Sequence, residues 1–292
     1  MRKIKEFFIE KILLSSALIT IVVTFGIIAV LTVEAFQFFK EVSIFDFFTD
    51  TQWTPLFTDK HYGILPLLSG TLLTSFIAIS VALPIGLSIS IYLSEYAPKS
   101  FRRTVKPLLE LLAAVPTVVY GFFALIVVTP FLQEFIPNLS GFNALSAGFV
   151  MGIMIIPYIS SISEDALYAV PKAMREASYG MGATKLQTTF KVIIPAASSG
   201  IIVSIILAIS RAIGETMIVA IAAGQQPRLT LDPTVPIETV TAYIVQVSLG
   251  DVQHGSIEYR TIFAAGITLF VFTFLLNTLS YSIRKKYQEK YE

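Results

Sequence analysis

The sequence predicts an all-α, polytopic membrane protein with six transmembrane helices, and three observations predict it. The first is composition. Of 292 residues, 54% are hydrophobic and 14% charged, with a mean hydropathy of +0.74, whereas a soluble domain is about a quarter charged. The second is that Asp, Glu, Lys and Arg are spaced so as to leave six windows long enough for the roughly 20 apolar residues that cross a hydrocarbon core. The third is that Lys and Arg crowd into alternate connections, the pattern that loops on the cytoplasmic side show.

The first window, 12–33, lies between Lys11 and Glu34. A basic stretch precedes it, as in a secretory signal, but its 22 residues exceed the roughly 7–15 of a signal core, so a retained helix is expected. The others fall near 64–94, 111–133, 143–163, 196–224 and 261–283. Pro84 and Pro157 interrupt the second and fourth windows, where a kink is expected. Gly148 and Gly152 in the fourth form a GxxxG spacing, which reads either as a site of close helix approach or as a spacing common by chance in membrane segments. No repeat or linker divides the chain, so residues 1–292 read as a single transmembrane domain.

Orientation follows from the basic residues. Sixteen of the 21 Lys and Arg fall in the N-terminal segment (Arg2, Lys3, Lys5, Lys11), the second connection (Lys99, Arg102, Arg103, Lys106), the fourth (Lys172, Arg175, Lys185, Lys191) and the tail (Arg284, Lys285, Lys286, Lys290). The remaining connections hold only Lys40, Lys60, Arg228 and Arg260. Both termini are therefore expected in the cytoplasm.

Several chemistries are excluded or left without residues. There is no cysteine, so disulfides and thiolate sites are absent. No GxxxxGK[ST] loop occurs, and Gly180-Met-Gly182-Ala-Thr-Lys185 lacks the spacing that cradles phosphates. ATP hydrolysis is thus not expected of this chain. His61 and His254 lie far apart in external loops with no metal-ligand spacing and read as solvated. No nucleophile elbow is present. No cofactor of the chain's own is expected.

Two polar groups stand out. In the fifth window, Arg211-Ala-Ile-Gly-Glu215-Thr216 places Arg211 and Glu215 four residues apart, on one face of a continuous helix. Arg211 sits about 20 Å along the helix from Ser198 at 1.5 Å per residue. A central Arg costs about 2.5–3.5 kcal/mol even on insertion scales. The pair reads either as a structural ion pair or as an anion-attracting site on a translocation route. The second group is the fourth connection, 164–195, expected as helix, turn and helix with Pro171 in a first helical turn. A charged, glycine-bent hairpin there could dock a soluble partner. In the external connection Gln225 to Arg260, apolar Val240, Ile244, Val245 and Leu249 recur at helical spacing.

Within the fourth connection, Glu176-Ala177-Ser178-x-x-x-Gly182 followed by Val192-Ile193-Ile194-Pro195 resembles the EAA-xxx-G-x9-I-x-LP signature of permease subunits in bacterial ABC importers. The stretches Glu110 to Gly121, Arg211 to Thr216 and Ile257 to Gly266 are similar to the inorganic phosphate importer's permeases, nearer the PstC type than the PstA type. The resemblance covers about Tyr62 to Ile283. It implies a type I ABC importer permease fold and a place in the bacterial cytoplasmic membrane. It also implies a homologous PstA-type permease as partner, an ATPase dimer that binds ATP and Mg, and an extracytoplasmic phosphate-binding protein. It implies that Glu176, Ala177, Gly182 and Pro195 belong to the element coupled to the ATPase, and that Arg211, Glu215 and Thr216 lie on the pathway. Molybdate, tungstate or sulfate would be alternative cargoes for a single Arg, and a non-transporting scaffold is the alternative from another class.

Overall fold

The computed structural model describes residues 2–287. Lys290 of the basic tail, and the side chains of Arg2, Lys3, Lys5, Arg284, Lys285 and Lys286, lie outside what is described. Among the described residues the regular structure is all helical, with no strand and two isolated bridges, Trp53 to Tyr62 and Gly224 to Ile237.

The long helices are α1 (Arg2–Glu41), α3 (Leu65–Ile91), α7 (Ala144–Ala169) and α14 (Ile257–Tyr287), with a short α2 (Ile44–Thr49) on the first connection. Segments within these four long helices are long and apolar enough to cross a bilayer. Two bent pairs raise the number to six when each is taken as one span. The first pair joins α4 (Lys99–Ala114) to α5 (Thr117–Phe123), a π-helical turn and α6 (Thr129–Gln133), with an 85° bend. The second joins α9 (Lys185–Thr188), a π-helical turn and α10 (Ile194–Ala196) to α11 (Ser198–Ile213), with a 70° bend. The hairpin helix α8 (Lys172–Gly180) precedes the second pair, while α12 (Met217–Ala222) and α13 (Val240–Leu249) follow it.

Four sequence expectations change. The third window starts too early: residues 111–114 belong to α4, an amphipathic helix whose exposed Phe101, Leu108 and Leu111 oppose its basic residues. Pro116 forces the break, because its ring pushes Val115 into the extended region (φ −63°, ψ 131°). The fifth window is not one helix, since α11 ends at Ile213 and α12 begins only at Met217. Residues 164–169 complete α7, so the hairpin helix starts at Lys172, with Pro171 as its N-cap and not inside its first turn. In α13 the inward face is Val240, Tyr243 and Val247, while Leu249 is 83% exposed, because the helix packs over α14 in a different register from the one its aliphatics suggest.

α7 is the centre of the fold. Some 61% of its apolar window is buried, against none of that of α1, which packs chiefly on α14 and presents its apolar side chains to the bilayer. The α3–α7 seam is closed by small residues. A Cβ on Gly148 would stand 2.8 Å from the Ile77 Cβ, and one on Gly152 would stand 2.9 Å from the Ala78 carbonyl oxygen. The GxxxG spacing is therefore where two helix backbones approach. Both Pro84 and Pro157 lie inside continuous helices.

On the side opposite the hairpin, the first and fifth connections fold into a cap. Phe38, Phe47, Trp53, Tyr62 and Tyr243 pack edge to face there, an arrangement favoured by the ring quadrupoles. His61 is not simply solvated: its Nδ1 lies 2.8 Å from Asp50 Oδ2.

Candidate functional site

The sequence Arg211-Ala-Ile-Gly-Glu215-Thr216 occupies the break between α11 and α12. Arg211 lies in the last turn of α11, where the helix dipole is negative, and Glu215 lies just before the first turn of α12, where it is positive. The side chains pair across the break, Arg211 Nη1 to Glu215 Oε2 at 3.1 Å. The other oxygen, Oε1, accepts from the N–H groups of Met217 (3.2 Å) and Ile218 (3.4 Å), which would otherwise be orphaned at a helix start. The i,i+4 pair thus forms, but through a chain turn instead of along one helical face. Thr216 donates to the Gly214 carbonyl at 3.3 Å, and Thr241 donates to the Glu215 carbonyl at 2.6 Å.

The two partners are unequal. Glu215 is 2% exposed with both oxygens committed, while the Arg211 side chain is 36% exposed. Its Nη2 points to the Met154 sulfur at 3.9 Å, a weak acceptor. The arrangement presents a positive charge whose counter-ion is fixed and whose outer face is available. A discontinuous apolar helix with a charged residue at the gap is a recurring way to build an ion site in a transporter.

The hairpin is separate. No hydrogen bond or ion pair among the described residues joins it to the Arg211 pair. Glu176, Ala177 and Pro195 are exposed. Gly182 has φ +82°, a conformation that L side chains resist, and a Cβ there would meet nothing within 4 Å. The chain then re-enters through Thr184, whose side chain and that of Gln187 form a reciprocal capping box. Met181 is 88% exposed, and Leu186 and Phe190 are also exposed, so the hairpin carries an apolar tip.

What the sequence reading missed is how the hairpin is anchored. Arg175 of α8 donates to the Val170 and Leu167 carbonyls, both at 2.8 Å, and reaches buried Glu95 at 3.1 Å. Beside it, fully buried Glu164 pairs with Arg102 and with Lys106 (2.9 Å), and Lys106 also pairs with Asp165. Arg102 lies 3.9 Å from the Tyr168 ring centre, a cation–π contact. These cations read as topology markers in the sequence. The missed signal was Glu95 and Glu164 at the ends of apolar windows, which need partners once buried. Among the described residues no group of three or more His, Asp or Glu side chains is placed to hold a metal.

Residues 82–290 match the family model described as the binding-protein-dependent transport system inner membrane component. The chain belongs to this family. It is 35% identical over 276 residues, 94% of this chain and 89% of the other, to the probable ABC transporter permease protein YqgH of Bacillus subtilis. It is 36% identical over 251 residues, 80% of this chain and 76% of the other, to the phosphate transport system permease protein PstC of Mesorhizobium japonicum. Among solved structures it resembles a chain of a bacterial ABC transporter that imports alginate, with TM-score 0.65, 16% identity, and 99% and 100% of the two chains covered. A second alginate transporter structure, in complex with a pentasaccharide-bound periplasmic protein, matches at TM-score 0.61 and 17% identity over 92% of each chain. The fold is that of an ABC importer permease, and the protein is a multi-pass inner-membrane permease subunit.

Proposed function

We propose that this chain is the PstC-type permease half of an ATP-driven importer of inorganic phosphate. In this reading it pairs with a homologous PstA-type half, rests on an ATPase dimer that holds ATP and Mg, and receives phosphate from an extracytoplasmic binding protein. Both termini and the 172–195 hairpin face the cytoplasm, as the distribution of Lys and Arg suggests. The chain itself needs no cofactor. The relatives named PstC support the choice of phosphate.

The observation that carries the reading is the asymmetric pair at the helix break. Glu215 anchors Arg211 and is itself anchored by two backbone N–H groups, so a passing oxyanion meets a positioned guanidinium. In a water-poor passage that attraction is stronger than in bulk water. Glu215 also tempers it, since conduction requires a site weak enough to release its cargo. Nucleotide-driven closure of the ATPase would act through the exposed face around Glu176 and Ala177. Arg175 would transmit the pull to Glu95 and to the end of α7.

The test is radiolabelled phosphate uptake by the complete importer in proteoliposomes, with molybdate, tungstate and sulfate as competitors. Uptake that requires ATP and binding protein, and that excess sulfate leaves intact, supports the reading. Uptake of sulfate or molybdate in preference to phosphate overturns the choice of cargo.

A further inference from the structure

Away from the helix break, a cavity of about 260 Å³ opens in the external cap between residues 53–57 and 225–227. It is smaller than the roughly 300–1,000 Å³ usual for small-molecule sites, and closer to the size of one long side chain. Its lining includes Trp53, Phe57, Gln226, Glu238, Tyr243 and Gln246. Trp53 and Tyr243 stand edge to face, 5.0 Å apart, so these walls brace one another.

Glu238 is the anomaly. It is 1% exposed, its carboxyl makes no hydrogen bond or ion pair among the described residues, and Oε1 is buried without a partner. No Lys, Arg or His lines the cavity. The other titratable group against it is Tyr243, whose hydroxyl is engaged with Thr261 at 2.6 Å. From α3, Thr71 is spent on the Val240 N–H, and Arg228 is held beyond the rim by Gln226 at 2.9 Å. Burial alone raises the Glu238 pKa to about 8.

A buried carboxyl without a partner is costly, and three kinds of partner could complete it. A metal ion would need further carboxylates or imidazoles, and no such cluster exists among the described residues. An oxyanion would face a carboxyl and no cation. A basic side chain matches the carboxyl and the walls: a carboxylate for its charge, aromatic rings that attract cations, and apolar Pro55, Leu56 and Phe57 for its stem, while the Trp53 Nε1–H, also buried without a partner, is left to an acceptor on the incoming segment.

We propose that this cavity receives an arginine or lysine side chain of the extracytoplasmic binding protein, with Glu238 as its counter-ion and Trp53 and Tyr243 as its walls. The inference rests on the importer reading above. It also supplies a route inward, because Glu238 lies three residues before Thr241, whose hydroxyl holds the Glu215 carbonyl at the helix break. Docking at the cap would therefore be felt beside Arg211.

The pH dependence has a definite sign. Burial lets Glu238 hold its proton below pH about 8, whereas an inserted cation favours the carboxylate, so docking releases a proton. Affinity should rise with pH, by up to about tenfold per unit well below pH 8, and level off above it.

The experiment measures the Kd of the cognate phosphate-loaded binding protein for the complete importer in nanodiscs between pH 6 and 9. Glu238→Gln should weaken docking at pH 8.5 at least tenfold and flatten the slope. Gln246→Lys, which leaves the carboxyl in place but fills the cavity with a cation, should do the same. On the wild-type complex, methylguanidinium should raise the Kd, while sodium at equal ionic strength should not. If both variants dock with wild-type affinity and slope, or if methylguanidinium has no effect, the inference is overturned. It is equally overturned if inorganic phosphate alone displaces the binding protein. A Glu238→Gln importer that docks the binding protein and transports phosphate like wild type overturns this inference and leaves the importer reading standing. One that neither docks a binding protein nor transports phosphate sinks both.

Discussion

Glu164 and Glu215 are both buried carboxylates held by basic side chains, yet their surroundings differ. Glu164, near the C-terminal end of α7, takes Arg102 and Lys106, and these cations are in turn used by Tyr168 and Asp165. Every charge in that knot is spent tying α4 to α7. Glu215 takes one cation, Arg211, and fills its remaining valence with backbone N–H groups, leaving the guanidinium a third exposed. A knot that consumes its own charges ties two helices; a pair that fixes the anion and leaves the cation a third exposed has the geometry that the proposed pathway requires.

The largest expected effect breaks the second arrangement. Arg211→Met should abolish phosphate uptake, and Arg211→Lys, which keeps the charge but loses the planar fork, should lower it at least tenfold, on the scale of one lost charge-assisted hydrogen bond of about 1.5–3 kcal/mol. Arg211→Met alone strands Glu215, so the double change with Glu215→Gln is the deciding variant. It should recover membrane abundance and still show no uptake. Substantial uptake by the double variant, at matched abundance, would make the pair structural, as in the Glu164 knot.

The converse expectation applies to that knot. Arg102→Met with Lys106→Met leaves Glu164 buried and unpaired, a loss of about 3–5 kcal/mol by analogy with broken buried pairs. Abundance and thermal stability in detergent should fall sharply while uptake per folded complex stays near wild type. If uptake per complex collapses instead, the two carboxylates are not distinct in kind.

The same contrast explains what the sequence discloses. Long apolar windows without charge become α1, α7 and α14 because burial in lipid leaves a helix as the only way to satisfy each backbone group. The GxxxG spacing of Gly148 and Gly152 marks a real backbone approach. The Arg211–Glu215 pair is legible from its spacing and from the cost of a charge in that window. The break between them is not, because Gly214 is tolerated within helices and nothing local signals that Glu215 will cap the next helix. The break at Pro116 is legible from Pro geometry, although the apolar residues on both sides mask it in a hydropathy window. The Glu164 and Glu95 pairs join residues far apart in sequence, Glu164 with Lys106 and Glu95 with Arg175, and no periodicity connects such partners. Glu238 has no side-chain partner among the described residues, so only burial reveals it.

A smaller effect tests the hairpin anchored beside the knot. At φ +82° a side chain costs about 1–2 kcal/mol, and the open space around Gly182 means that the penalty is conformational, not steric. Gly182→Asn, which tolerates the left-handed region, should transport nearly normally. Gly182→Val should assemble but lose most of its uptake, with ATP hydrolysis no longer matched to phosphate carried. Equal behaviour of the two variants would remove the hairpin turn from the coupling element.

The smallest expected effect concerns the cap on the side opposite the hairpin, where His61 and Asp50 form a pair unlike either buried carboxylate because water reaches both. The Asp50 hydrogen bond is the main cause that raises the His61 pKa above its ordinary value. For Asp50, burial pushes upward, but the His61 hydrogen bond and the Gln52 and Thr51 N–H groups outweigh it and leave the pKa lowered. The signs set a window. A raised His pKa contributes stability that is complete below the unfolded value and fades as pH rises through the folded one, while a lowered Asp pKa contributes stability that fades as pH falls through the folded one. The pair therefore steadies the 50–63 segment between the lowered Asp50 pKa and the raised His61 pKa. Hydrogen exchange of the Gly63 amide, which donates to the Gln52 carbonyl at 2.9 Å, should be slowest in mildly acidic buffer and quicken, beyond the intrinsic pH effect, once His61 loses its proton. His61→Gln should remove that step while leaving exchange at the Val240 amide, held by Thr71, unchanged. A step that persists in His61→Gln would assign it to another group in the cap, Glu238 first among them.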